Sequence, residues 1–113
     1  MTDYKFGDVI LVPFPFTDQS SGKKRPAVVV SSAAFHAAHI NLMLMGVSSQ
    51  VSGLLRTGEV MITNWQQAGL LAPSVVKAVL TTVEKKLVIR KLGELCEVDR
   101  QAVEQALRVI LAP

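Results

Sequence analysis

A single cysteine, Cys96, stands among the 113 residues. It has no partner for an internal disulfide, and one thiol argues against a Cys-based zinc site. Long apolar runs are missing as well. Charges or turn residues interrupt every stretch well short of the roughly 20 positions needed to cross a bilayer. The opening residues Met1-Thr2-Asp3-Tyr4-Lys5 lack the basic-then-apolar order of a secretory signal. A cytoplasmic, soluble protein with no membrane partner is the expectation. The common catalytic signatures are absent too: no glycine-rich phosphate loop, no His-Glu-x-x-His, no Gly-x-Ser-x-Gly. His36 and His39 lie three apart in a weakly helical stretch without further ligands at a suitable spacing, so both read as packing residues and no metal or cofactor is expected. Scattered Asp and Glu residues give no glycosidase-like pair.

What is present is a chain half hydrophobic, enough for one core, with no repeat, linker or low-complexity tract; residues 1–113 read as one domain. The formal charge is +3, from 12 Lys and Arg against 9 Asp and Glu. The excess is clustered, at Lys23-Lys24-Arg25 and at Lys85, Lys86, Arg90 and Lys91. On charge alone each cluster reads equally as a solvated turn or as a surface for an anionic partner.

Short strands are predicted at residues 8–14, 26–31, 40–47, 59–62, 74–81 and 88–95, from apolar runs bounded by turn residues. The second is apolar enough for burial on both faces. Ser31 or Ser32 can cap a short helical turn over 32–38, and Asn64–Gly69 reads as a further turn ended by glycine. Asp99 is expected to cap a C-terminal helix whose Ala102, Val103, Ala106, Leu107 and Ile110 recur at helical spacing. Many short strands and one closing helix predict an α+β domain on a small curved sheet, closing as an SH3-like β-barrel with short helical insertions.

Arg25 stands where a polar loop (Phe16 to Gly22) hands over to the second strand. Its planar fork can take two phosphate oxygens at once. Ser48 and Ser49 follow the third strand and, by position alone, read as turn hydroxyls. Phe14 and Phe16 alternate with prolines and could stack bases, while core packing is the simpler reading for them and for Trp65.

Several blocks then resemble one family in order and spacing. Gly7-Asp8-Val9-Ile10 with Pro13-Phe14, the block Lys24-Arg25-Pro26-Ala27-Val28-Val29-Val30-Ser31, the segment Trp65 to Lys77, and Thr81-Thr82-Val83-Glu84-Lys85 look like those of MazF/PemK toxins, in the PemK-like branch. The resemblance spans nearly the whole chain. It implies the CcdB/PemK-like barrel, usually a homodimer, that cuts single-stranded RNA without metal as the toxin of a toxin–antitoxin pair, and DNA binding by the toxin–antitoxin complex. Carried over by motif, the catalytic arginine is Arg25 and the hydroxyl residue, usually Thr, is Ser48, with Ser49 the alternative one residue on. Lys23, Lys24, Phe16, Thr17, Ser49 and Lys77 form the expected substrate-contacting set, with Lys85 and Lys86 also lining the groove. The partners so implied are RNA and a cognate antitoxin. Competing readings are a gyrase-binding poison on the same barrel, as in CcdB relatives, and a binding module that has lost cleavage.

Overall fold

The apolar runs become strands of one antiparallel sheet. The computed structural model describes residues 3–13, 23–51 and 53–112. Strands β1 (Asp8–Pro13), β2 (Lys24–Val29), β3 (Asn41–Ser48), β4 (Val60–Met61), β5 (Val75–Glu84) and β6 (Arg90–Glu94) are joined by the short helix α1 (Ala33–Ala38) and closed by α2 (Glu97–Ile110). The spatial order is β4-β5-β3-β2-β1-β6, so the two edges are the short strand β4 and the charged strand β6. Register irregularities between Val9 and Ile10 and between Met45 and Val47 bend the sheet, as bulges do.

Alternation sorts the strands between two cores. Val9, Val28, Met45 and Val47 pack with Val103 and Ala106 of α2. Ile10, Val12, Ala27, Val29, Leu42 and Leu44 form the opposite face. Consecutive Ala27, Val28 and Val29 are all fully buried, which is why β2 is apolar without interruption. The predicted elements are therefore present, with shifted ends. β5 extends to Glu84, and a single 3-10 turn, Lys85–Leu87, separates it from β6. Asn64–Gly69 is a run of hydrogen-bonded turns, closed by Gly69 at φ +77°. A β-carbon there would lie 2.0 Å from the Leu92 carbonyl oxygen, so glycine is required both by conformation and by close approach.

Two of the expected local roles are resolved or reassigned. Ser32, not Ser31, caps α1: its hydroxyl accepts the Phe35 amide at 3.2 Å. Ser31 is buried and bridges the Met43 amide (3.0 Å) and His36 Nε2 (2.5 Å). His36 Nδ1 faces the Tyr4 carbonyl at 2.8 Å, so it donates there, and Nε2 accepts from Ser31. His36 is thus a satisfied core histidine. The second reassignment concerns Asp99. The helix begins earlier, with Cys96 at the N-cap, and Asp99 lies inside the first turn. Its buried carboxylate reaches out of the helix, accepting the Thr63 amide (3.0 Å), the Thr63 hydroxyl (2.9 Å) and the Asn64 amide (3.1 Å). Asp99 is a tether from α2 to the segment after β4, and the sequence offered it only as a cap because its partners lie some 35 residues away. Its apolar stripe holds as predicted: Val103 and Ala106 are buried, and Ala102, Leu107 and Ile110 pack against the core. Among the described residues no helix is long and apolar enough to cross a membrane.

Candidate functional site

β2 ends its pairing with β3 at Ala27↔Gly46, following Val28↔Met45 and Val29↔Leu44. Just beyond that last pair, Arg25 of β2 and Ser48 of β3 stand at neighbouring strand ends. The two side chains line one cleft of about 490 Å³, together with Lys24, Pro26, Ser49, Gln50 and the segment Gly69–Ala72. Antiparallel pairing across β2 and β3 thus joins residues 23 positions apart in sequence at neighbouring strand ends.

The side chains are differently prepared. Arg25 is exposed at the strand end and makes no ion pair with a described carboxylate. Among the described residues no Asp or Glu lines the cleft. Ser48 Oγ accepts the Gln50 amide at 3.1 Å, which orients the hydroxyl and leaves its proton to donate outward. Ser49 lines the same cleft, and Lys24 flanks Arg25. Lys23 is exposed one residue outside the lining. Phe16 and Thr17 lie outside the described residues. A larger cleft of about 610 Å³ lies elsewhere, around Val12, Asn41, Leu44, Thr81 and Glu84; it carries a carboxylate and no Lys or Arg, so it is the poorer seat for an anion.

Three expected groove cations are used elsewhere. Lys77 pairs with Glu59 at 2.7 Å in a neighbouring polar cleft, where the Arg56 amide and the Lys77 ammonium hold the Glu59 carboxyl below its ordinary range. The cause is register: Val60↔Val76, continued by one residue, sets Glu59 against Lys77. Lys85 Nζ donates to the His36 carbonyl, and Lys86 lies 3.4 Å from Glu84. Trp65 packs against the core. Sequence reasoning missed Arg90, which does line the Arg25 cleft. Its sequence neighbour Lys91 faces the other way, as adjacent residues on a strand do, so proximity in the chain does not show which of the two enters the cleft. Among the described residues no three His, Cys, Asp or Glu side chains cluster as a metal site.

A curled six-stranded antiparallel sheet, closed by a C-terminal helix and carrying a cationic cleft at its strand ends, defines a small α+β domain of the MazF type. Solved structures share this architecture. The Mycobacterium tuberculosis toxin MazF-mt6 superposes with a TM-score of 0.70 at 21% identity, covering 88% of this chain and 91% of its own. An endoribonuclease from a mycobacterial species gives 0.73 at 15% identity over 97% and 92%. Deinococcus radiodurans MazF gives 0.72 at 19% over 95% and 94%. These likenesses are of fold. A search of curated protein sequences returns no match. The family is shown by sequence: the model of the PemK-like, MazF-like toxins of type II toxin–antitoxin systems matches residues 5–111, and this chain belongs to that family.

Proposed function

We propose that the chain is the toxin of a type II toxin–antitoxin pair and an endoribonuclease that cuts single-stranded RNA without a metal ion. The observation that carries this reading is the meeting of Arg25 and Ser48 in one cleft that no described carboxylate lines. RNA supplies its own nucleophile: the 2′-hydroxyl attacks the adjacent phosphorus in line, the P–O5′ bond breaks, and a 2′,3′-cyclic phosphate and a 5′-hydroxyl result. The protein has then to hold that geometry and stabilise charge on the phosphoryl oxygens. Arg25 does the second through a bidentate, charge-assisted contact. A guanidinium holds its proton too tightly to act as a good acid, so its work is electrostatic. Ser48, already accepting from Gln50, donates its remaining proton to a phosphoryl oxygen or fixes the 2′-hydroxyl.

Binding partners follow from the same reading. The relatives include a mycobacterial endoribonuclease in complex with its cognate antitoxin and MazE–MazF of Deinococcus radiodurans. An antitoxin for this chain would occupy the cationic cleft with acidic side chains and compete with RNA, and a homodimer is the expected assembly. One substrate change tests the chemistry. A strand bearing a single 2′-deoxy sugar at the mapped cut should resist cleavage there and bind with unchanged affinity; cutting at the deoxy position would refute attack by the 2′-hydroxyl.

A further inference from the structure

Arg90 enters the cleft from a third strand. On β1, Leu11 is paired with Pro26 of β2 on one side and with Arg90 of β6 on the other. All three line the Arg25 cleft. Directly opposed residues share a face of the sheet, so Arg90 lies on the face of Leu11 and Pro26, while Arg25, paired with Val12, starts from the other face; both line the one cleft at the strand ends. Two strand spacings, roughly 10 Å of backbone, separate β6 from β2, a gap that two long arginine side chains can span from either side.

The adjacent Lys91 shows the alternative use of a β6 cation. It takes the opposite face and spends its charge on buried Asp8, at 3.3 Å, and on Glu94, at 2.8 Å. The hydrogen bond from Lys91, and then that from Lys5, pull the Glu94 carboxyl down to about 2. Arg90 is exposed and has no such partner among the described carboxylates. Lys24, Arg25 and Arg90 therefore share one cleft, and among the described residues no acidic side chain lines it. Gathered like charges cost the folded state self-repulsion, and a bound polyanion offsets it.

We infer that Arg90 holds the phosphate next to the one at Arg25, so that the cleft grips two successive phosphates of one strand. The inference rests on reading the cleft as a single-stranded RNA site. Arg90 is a positioning residue: by anchoring the neighbouring phosphate it sets which phosphate faces Arg25 and Ser48.

The test uses the full-length protein and a fluorescein-labelled, mixed-sequence single-stranded DNA, which binds phosphates but lacks the attacking hydroxyl. Log affinity is measured against log salt for wild type, Arg90→Ala, Arg90→Lys and Arg108→Ala, the last on the exposed face of α2. Arg90→Ala should flatten the slope by about 0.7 and weaken binding about tenfold, while Arg90→Lys restores the slope and Arg108→Ala matches wild type. On RNA, Arg90→Ala should raise KM with little change in kcat, whereas Arg25→Ala lowers kcat. An unchanged slope in Arg90→Ala, or a wild-type affinity indifferent to salt, overturns the inference. If the slope changes as expected while wild type cuts no RNA, Arg90 keeps its phosphate and the cleavage reading alone falls.

Discussion

Replacing Asp99 with Asn removes one negative charge and no volume, at the point where α2 is tied to the segment after β4. Three donors converge on the native carboxylate: the Thr63 amide within 3.0 Å of both oxygens, the Thr63 hydroxyl at 2.9 Å and the Asn64 amide at 3.1 Å. Asparagine keeps one acceptor oxygen and turns an NH2 group toward a donor. Hydrogen bonds to a charged group contribute about 1.5–3 kcal/mol each, so losing one and weakening the others costs about 3 kcal/mol. For a chain of this length about 4 °C of Tm accompanies each kcal/mol, so thermal unfolding followed by circular dichroism should move down by roughly 12 °C. The pH dependence is a second readout. Burial pushes the Asp99 carboxyl up, but the bonds from Thr63 and Asn64 outweigh it and hold the group below its ordinary value. A depressed native pKa contributes stability that is complete above the unfolded value, near 4, and lost as pH falls through the native one. The Tm gap between wild type and Asp99→Asn should therefore be constant from pH 7 to 5 and narrow below about 4. A Tm shift of less than about 2 °C at neutral pH would refute the tether.

Other perturbations address the cleft and its wall. Arg25→Ala should fold normally, since the side chain is exposed, and lose about 10²–10³-fold in cleavage rate, measured on a labelled RNA. Ser48→Ala should lose about tenfold, the worth of one hydrogen bond, and Ser48→Thr should keep activity because the hydroxyl stays. Lys77→Ala should leave the salt dependence of nucleic-acid binding unchanged, because its ammonium is held by Glu59. Gly69→Ala must take up φ +77° and push against the Leu92 backbone, so it should lose more than about 2 kcal/mol in urea unfolding.

Local patterns carried the fold and one wall of the candidate cleft. The uninterrupted Ala27-Val28-Val29 run gave a strand buried on both faces, and the spacing from Ala102 to Ile110 gave the closing helix. Arg25 was legible because its place at a loop-to-strand junction is a local property of the Arg-Pro block. What pairing decides was not legible. The meeting of Arg25 with Ser48, the capture of Lys77 by Glu59 and the separation of Arg90 from Lys91 all depend on which residues register brings face to face. Asp99 fails for the same reason: an acidic residue near a helix start has the same sequence pattern whether it caps its own helix or reaches to another segment.

The central claim is that Arg25 stabilises a phosphate attacked by the RNA's own hydroxyl. Mapping the ends of fragments released from single-stranded RNA in excess EDTA tests it most directly. Wild type should leave 5′-hydroxyl and 2′,3′-cyclic phosphate ends, and Arg25→Ala should leave almost none. Equal cleavage by the two proteins, or 5′-phosphate ends from wild type, would contradict it.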